Sequence, residues 1–421
     1  MAVTAPSRAR LFAFNVGFGD CFLLRFEYPG GPDRHVLIDF GSTRAPPAPA
    51  GVKTPIEERV AAEIEKLCGG RLDVVIATHR HKDHISGFAT KANGKGAGDV
   101  IAGLKPRMVL QPWTEDPRAP TDADAAARRE ELEGMSAVAA SVERYAIGRQ
   151  LEGGKRLAGV LSFLGEDNIK NKSAVENLIA MGNAAQFGAH YLKAGDRVSV
   201  ARALPGVRLH VLGPPTPKQW KSVSNQARDV DGQYWLRKAA TSNRVGAAGT
   251  TKPLFPGHVK PLPNSANWIA QRARQAEEES VYAIVRTLDK AMNNTSLVLM
   301  FEVGGKKLLF PGDAQWENWS YALSQPDIAA SLKDVDLYKV GHHGSRNATP
   351  IALWDSFTAR GPKTKRGRMK SIMSTLEGVH GHGDDGTEVP RESLTSALKR
   401  HTDYHTTEGV NDPYVECVLE L

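Results

Sequence analysis

Short apolar runs open the chain. Arg10 to Phe14, Cys21 to Phe26 and His35 to Phe40 are rich in aromatic and β-branched residues and are bounded by turn signals, which predicts a β-meander. The first turn is Val16-Gly17-Phe18-Gly19-Asp20, and the third run ends in Asp39-Phe40-Gly41-Ser42. Pro46 to Pro49 and Gly51 make a rigid loop. Val60, Ile64 and Leu67 then recur with helical spacing over Ile56 to Leu67, and Leu72 to Ala77 returns to a strand pattern. Strand, helix, strand indicates an α/β layer. Arg107 to Gln111 is the next predicted strand, Thr121 to Arg149 a long Ala- and Glu-rich helix, and Asn171 to Met181 another helix.

Beyond Gly195-Asp196, Arg197 to Val200 and Val207 to Leu212 are expected to pair as a hairpin closed by Gly213-Pro214-Pro215. Gln219 to Ala276 has little periodicity and carries prolines at 253, 256, 261 and 263, the pattern of a long insertion or lid. Ser296 to Phe301 and Lys307 to Phe310 form a second predicted hairpin through Gly304-Gly305. Further strands are expected at Asp336 to Val340, Ser371 to Ser374 and Tyr414 to Leu421, with a helix at Arg391 to His401. The whole reads as one α/β domain, 1–421.

Charge adds a location. Lys and Arg number 54 against 47 Asp and Glu, a net of +7. Between Ala201 and Lys290 the count is fourteen to six, which accounts for the entire excess. A second basic knot is Arg360, Lys363, Lys365, Arg366, Arg368 and Lys370. Such runs are compatible with a polyanionic partner, and equally with a solvated face. Three scattered cysteines give neither a disulfide framework nor a thiolate metal site. Met1 to Arg10 has no apolar h-region, and no apolar stretch reaches the ~18 residues a membrane span requires. A cytoplasmic protein without membrane spans is expected.

The chemistry lies in Thr78-His79-Arg80-His81-Lys82-Asp83-His84, directly after Val74-Val75-Ile76-Ala77. Period two along a strand would place His79 and His81 on one side, and the following turn would carry Asp83 and His84 to a second position, so two ions can share one loop. Imidazole with carboxylate suits Zn²⁺, Mn²⁺ or Fe rather than Ca²⁺ or Mg²⁺. Two further strand ends carry similar groups: Asp313 after Leu309-Phe310, and His342-His343 after Lys339-Val340. Asp39, in a strand-to-turn position, is expected to hold the histidine loop by hydrogen bonds rather than to touch metal.

Taken in order, Asn15 to Cys21, Leu37 to Gly41, Thr78 to Gly87, Asn294-Thr295-Ser296, Pro311-Gly312-Asp313 and Lys339 to Ser345 resemble the metallo-β-lactamase superfamily, an αββα four-layer sandwich of two similar halves. Within it they look most like the branch that contains the soluble domain of the DNA-uptake protein ComEC and bacterial phosphorylcholine esterase. The resemblance covers about half the chain. Residues 114–189 stand as a helical insertion and 216–274 as a basic insertion or lid. It implies that His79 and His81 hold a first divalent ion (Zn or Mn), that Asp83 and His84 hold a second, and that Asp313 bridges them. One of His342 and His343 completes the second; adjacent residues at a strand end point opposite ways, so the other is expected to meet substrate or to support the ligands, and His343 is taken as the ligand. Two departures stand out. A histidine usual just before the bridging hairpin is replaced by Asn293-Asn294-Thr295-Ser296, and a late Asn-Tyr-Gly-His-Pro-like loop by His380-Gly381-His382-Gly383-Asp384-Asp385.

The implied activity is hydrolysis at a dinuclear centre, with Asp83, Asp313 and His342 in catalytic roles and no Ser or Cys nucleophile. Ser345, His380 and His382 are candidates for phosphate contact, and Arg237 and Lys238 for a polyanionic backbone. Tyr234, Trp235, Phe255 and Trp268 offer stacking surfaces for unpaired bases. A nuclease of genome upkeep or phage defence is the expected function. The alternatives are a hydrolase of small phosphodiesters or other esters, as in phosphorylcholine esterase, and a non-catalytic scaffold.

Overall fold

The computed structural model describes residues 5–118, 171–221, 293–347, 349–379 and 388–421. The expected helix over 121–149 and residues 222–274 of the basic insertion lie outside them, as do Arg237, Lys238, His380 and His382. Thirteen strands among the described residues form two sheets. The first contains β1 (Arg8–Phe14), β2 (Cys21–Glu27), β3 (Arg34–Phe40), β4 (Val74–Ile76), β5 (Met108–Pro112) and β6 (Ala189–Leu192), with the chain's last strand, β13 (Tyr414–Glu420), at its edge. Its order is β13-β1-β2-β3-β4-β5-β6. The second contains β7 (Arg208–Gly213), β8 (Val298–Val303), β9 (Lys306–Phe310), β10 (Leu337–Lys339), β11 (Lys370–Met373) and β12 (Asp403–Thr406), ordered β12-β11-β10-β9-β8-β7.

Both sheets follow one plan. An antiparallel meander (β1 to β3; β7 to β9) runs into parallel strands (β3 to β6; β9 to β12). Period-two side-chain alternation sorts the apolar residues into layers. Leu11, Leu24 and Ile38 of the first sheet meet Leu299, Phe301 and Phe310 of the second in the central core. Phe12, Leu23 and Leu37, on the other face, pack under helices Ile56–Cys68, Ala97–Gly103 and Lys172–Ala184. Met300, Leu309 and Tyr338 pack under helices Trp316–Ser324, Pro326–Leu332, Ile351–Ser356 and Glu392–His401. The result is helix, sheet, sheet, helix, consistent with the metallo-β-lactamase fold.

Several expectations change. Arg197–Val200 forms no strand: Val200, Ala203 and Leu204 are buried by a turn that plugs the central core, and β7 pairs instead with β8. Ala189–Leu192, short and half polar, has little period to read, yet it extends the first sheet alongside β5. Helix Lys172–Ala184 packs on that same sheet, so the stretch 172–192 belongs to the first half of the sandwich. Among the described residues no helix is long and apolar enough to cross a membrane.

Phe301 lies between the sheets, its ring 6.2 Å from Phe26 and 5.8 Å from Phe310. Truncating so central a ring leaves a cavity that both sheets line. Phe301→Ala is expected to lower unfolding free energy by about 3–5 kcal/mol in chemical denaturation. A loss under ~1 kcal/mol would contradict this packing.

Candidate metal centre

The parallel strands of both sheets end at one place, and the chain leaves them in loops that carry the polar residues. β4 stops at Ile76, so His79 and His81 are presented by the loop beyond it and not by the strand. His81 then precedes a one-turn helix, Lys82–Ile85, which turns Asp83 and His84 inward. β9 delivers Asp313, and β10 delivers His342 and His343. These two are not alternating strand residues either. They lie in a 3₁₀ turn with φ of 43° and 51°, a left-handed conformation that is costly for side chains with a Cβ.

The donor atoms of Asp83, His84, Asp313 and His343 all lie within 4.8 Å of one another, and all four residues are buried. His343 Nε2 stands 2.9 Å from Asp83 Oδ2, and His84 Nε2 stands 3.2 Å from Asp313 Oδ2. Each imidazole is oriented from behind. His343 Nδ1–H donates to the Ser374 carbonyl at 3.0 Å, and His84 Nδ1–H to Asp39 Oδ2 at 2.8 Å. Both Nε2 atoms therefore face the pocket as lone pairs when the rings are neutral. Asp39 itself accepts the Thr78 N–H at Oδ1 and the Thr78 hydroxyl at Oδ2, each at 2.7 Å. One carboxylate thus fixes the start of the histidine loop and one of its rings. His79 and His81 lie alongside, His79 Nε2 3.0 Å from His81 Nδ1. The Thr78 hydroxyl, its hydrogen given to Asp39, accepts from His79 Nδ1 at 3.2 Å, which turns His79 Nε2 toward His81.

Close backbone packing sets these positions. A Cβ on Gly41 would fall 2.4 Å from the Asp83 carbonyl carbon, so only glycine lets the end of β3 lie against the helix that carries Asp83. Gly312, at φ 54°, lies against the Thr78 side chain in the same way. The Gly-rich turn of the first hairpin clasps the loop from the other side, with Asp20 N–H donating to the Asp83 carbonyl at 2.8 Å.

The electrostatics favour added positive charge. Burial, reinforced by His84 and His81, holds His79 well below the ordinary imidazole range, and burial takes His81 down to about 4. Burial would raise the Asp83 and Asp313 carboxyls, but the facing imidazoles, His84 foremost, hold both below the ordinary range. Burial would likewise lower His84, yet Asp313, Asp83 and Asp39 keep it raised. The carboxylates thus remain ionised in the interior against the imidazoles that face them. Asp83 Oδ1 is buried without a hydrogen-bond partner, as a metal-ligating oxygen would be. The donor set and its spacing fit a divalent cation.

His342 lies at the mouth, its Nε2 3.9 Å from Asp313 Oδ2 and its Nδ1 2.9 Å from Ser345 Oγ. The Ser345 hydroxyl donates to Asn347 Oδ1, and Asn347 in turn donates to Gln315. Ser345, expected to reach a phosphoryl oxygen, stands within this chain of polar residues and beside the His342 ring. Sequence reasoning missed Gln315 and Asn347, and also the buried pair Asp20 and Lys339. The readable signal for Lys339 was a charge inside the apolar run Leu337-Tyr338-Lys339-Val340.

Removing the support of one ring tests this arrangement. Asp39→Asn is expected to weaken divalent-ion affinity about 10–100-fold in calorimetry on stripped and reloaded protein. An unchanged affinity would show that His84 is not held this way.

Comparison with known proteins adds one match: the family model for the metallo-beta-lactamase superfamily covers residues 14–157. No curated protein matches the sequence. The matched span holds Asp39 and the histidine loop, while Asp313, His342 and His343 lie beyond it and are brought to the same pocket by the second sheet. Over residues 14–157, about a third of its length, the chain is thus similar to the metallo-beta-lactamase superfamily.

Proposed function

We propose that the protein is a dinuclear-metal-dependent hydrolase, and specifically a phosphodiesterase that cuts nucleic acid. The observation that carries the hydrolase reading is the convergence of Asp83, His84, Asp313 and His343 from both halves of the sandwich, with His79 and His81 beside them. His79 and His81 would hold one ion, Asp83, His84 and His343 a second, and Asp313 would reach both. When bound, the ions supply an acidified water and neutralise charge developing at the attacked centre. The carboxylates of Asp83 and Asp313 would orient an attacking water by accepting its hydrogen bonds. With Nδ1 tied to Ser345, any proton that His342 gives to a leaving oxygen passes through Nε2 at the mouth.

Nucleic acid is favoured over a small ester by charge. The excess of fourteen cationic over six acidic residues between 201 and 290 suits a polyanionic backbone, and the aromatic residues at 234, 235, 255 and 268 suit stacked bases. Ions of zinc or manganese are the proposed cofactors on donor chemistry.

Two outcomes are expected. Wild-type protein loaded with Mn²⁺ or Zn²⁺ should cleave single- or double-stranded nucleic acid, and Asp83→Ala should lose about 100-fold or more of that rate. Cleavage of a small chromogenic phosphodiester with no nuclease activity would assign the small-ester reading instead, and no hydrolysis of either would favour a scaffold. Reversing the charges of Arg237, Lys238 and Lys252 should weaken DNA or RNA binding and flatten its salt dependence. Unchanged affinity would remove the nucleic-acid argument.

A further inference from the structure

Behind the imidazoles lies a second set of donors near enough to share a cation: Asp20, Asp39 and His84. Lys339 reaches this set from β10. Its ammonium is ion-paired with Asp20, donates to the Gly312 carbonyl at 3.3 Å and stands 3.9 Å from Asp313 Oδ1. The residue is 2 % exposed and Asp20 is fully buried. Asp20 stands in turn 3.5 Å from Nδ1 of His343 and 3.7 Å from Nδ1 of His84, directly behind both rings.

We propose that the Lys339 ammonium is the resident cation of this inner cluster, a positioning residue that confines exchangeable divalent ions to the pocket of Asp83, His84, Asp313 and His343. The inference rests on the metal-centre reading given above. Charge supplies the first argument. Asp20, Asp39, Asp83 and Asp313 are all buried, so with Lys339 and neutral imidazoles the interior is three charges negative. Two divalent ions make it one positive, and a single anionic substrate group brings it to neutrality. Without the ammonium, two ions and the same substrate group would leave one negative charge in a medium that tolerates little of it, and a further ion would be drawn in.

Geometry supplies the second. Asp313 Oδ1 faces Lys339 and accepts the His342 N–H at 3.1 Å, which leaves Oδ2 for the pocket, 3.2 Å from His84 Nε2. An ion in the inner cluster would compete for Asp39 and His84, the pair whose hydrogen bond orients the ring. A tethered ammonium cannot exchange, and as a donor without lone pairs it leaves the imidazole free to face outward.

Ion content after loading with excess Mn²⁺ and desalting, read by elemental analysis, tests the proposal. Lys339→Ala opens the space and is expected to retain one more ion per chain than the wild type. Asp20→Asn combined with Lys339→Met removes both charges while keeping the volume, and is expected to return to the wild-type number. An unchanged count in Lys339→Ala overturns the proposal, and so does an altered count in the double variant. Should Lys339→Ala be unstable, Mn²⁺ is expected to restore its melting temperature to near the wild-type value. A chain that stays unfolded in excess Mn²⁺ also overturns the proposal. A wild type that takes up no ion is a different failure: it removes the metal-centre reading, and this inference falls with it.

Discussion

Buried negative charge governs the functional end of this molecule. Asp20, Asp39, Asp83 and Asp313 are each about 1 % exposed or less, and carboxylates so placed lose their hydration and repel one another. The fold offsets this with one ammonium, with imidazoles and with directed N–H donors from Thr78 and His342. What remains uncompensated lies in the pocket between Asp83, His84, Asp313 and His343. The same imbalance that would destabilise an ordinary interior would draw a cation to the site, so stability and the proposed function act on the same groups.

The architecture explains why so many polar residues can meet there. Each half of the sandwich is a meander followed by parallel strands, and all the relevant loops leave from strand ends at one edge. The central core of Leu11, Leu24, Phe301 and Phe310 holds the two sheets in register, so groups 260 residues apart, Asp83 and His343, stand 2.9 Å apart. Positive φ at Asp39, His342 and His343 places local strain at these strand ends, where the packing of Gly41 and Gly312 against the histidine loop holds it.

Much of this was legible in the sequence. Apolar periodicity gave an α/β layer, and the four-layer arrangement came from the family resemblance that the motifs carry. The histidine loop announced its chemistry by composition alone. What escaped had weak or misleading local signals. Ala189–Leu192 is an edge strand with half-exposed residues, and Val200 to Leu204 is apolar because it plugs the core rather than because it pairs. Strand geometry is the sequence expectation for His79, His81, His342 and His343, whereas a loop carries the first two and a 3₁₀ turn the last two. Asp20, in a Gly-rich turn, and Lys339, a lone charge in an apolar strand, escaped because neither has a local partner, and their pairing appears only when the two sheets close.

The central claim is that this pocket is a divalent-metal centre built from nitrogen and oxygen donors. X-ray absorption at the metal edge of the loaded protein tests it most directly. The account predicts a first shell of mixed imidazole nitrogen and carboxylate oxygen at about 2.0–2.2 Å that is lost in His84→Ala. A shell of water oxygens alone, or one with sulfur at ~2.3 Å, would contradict it.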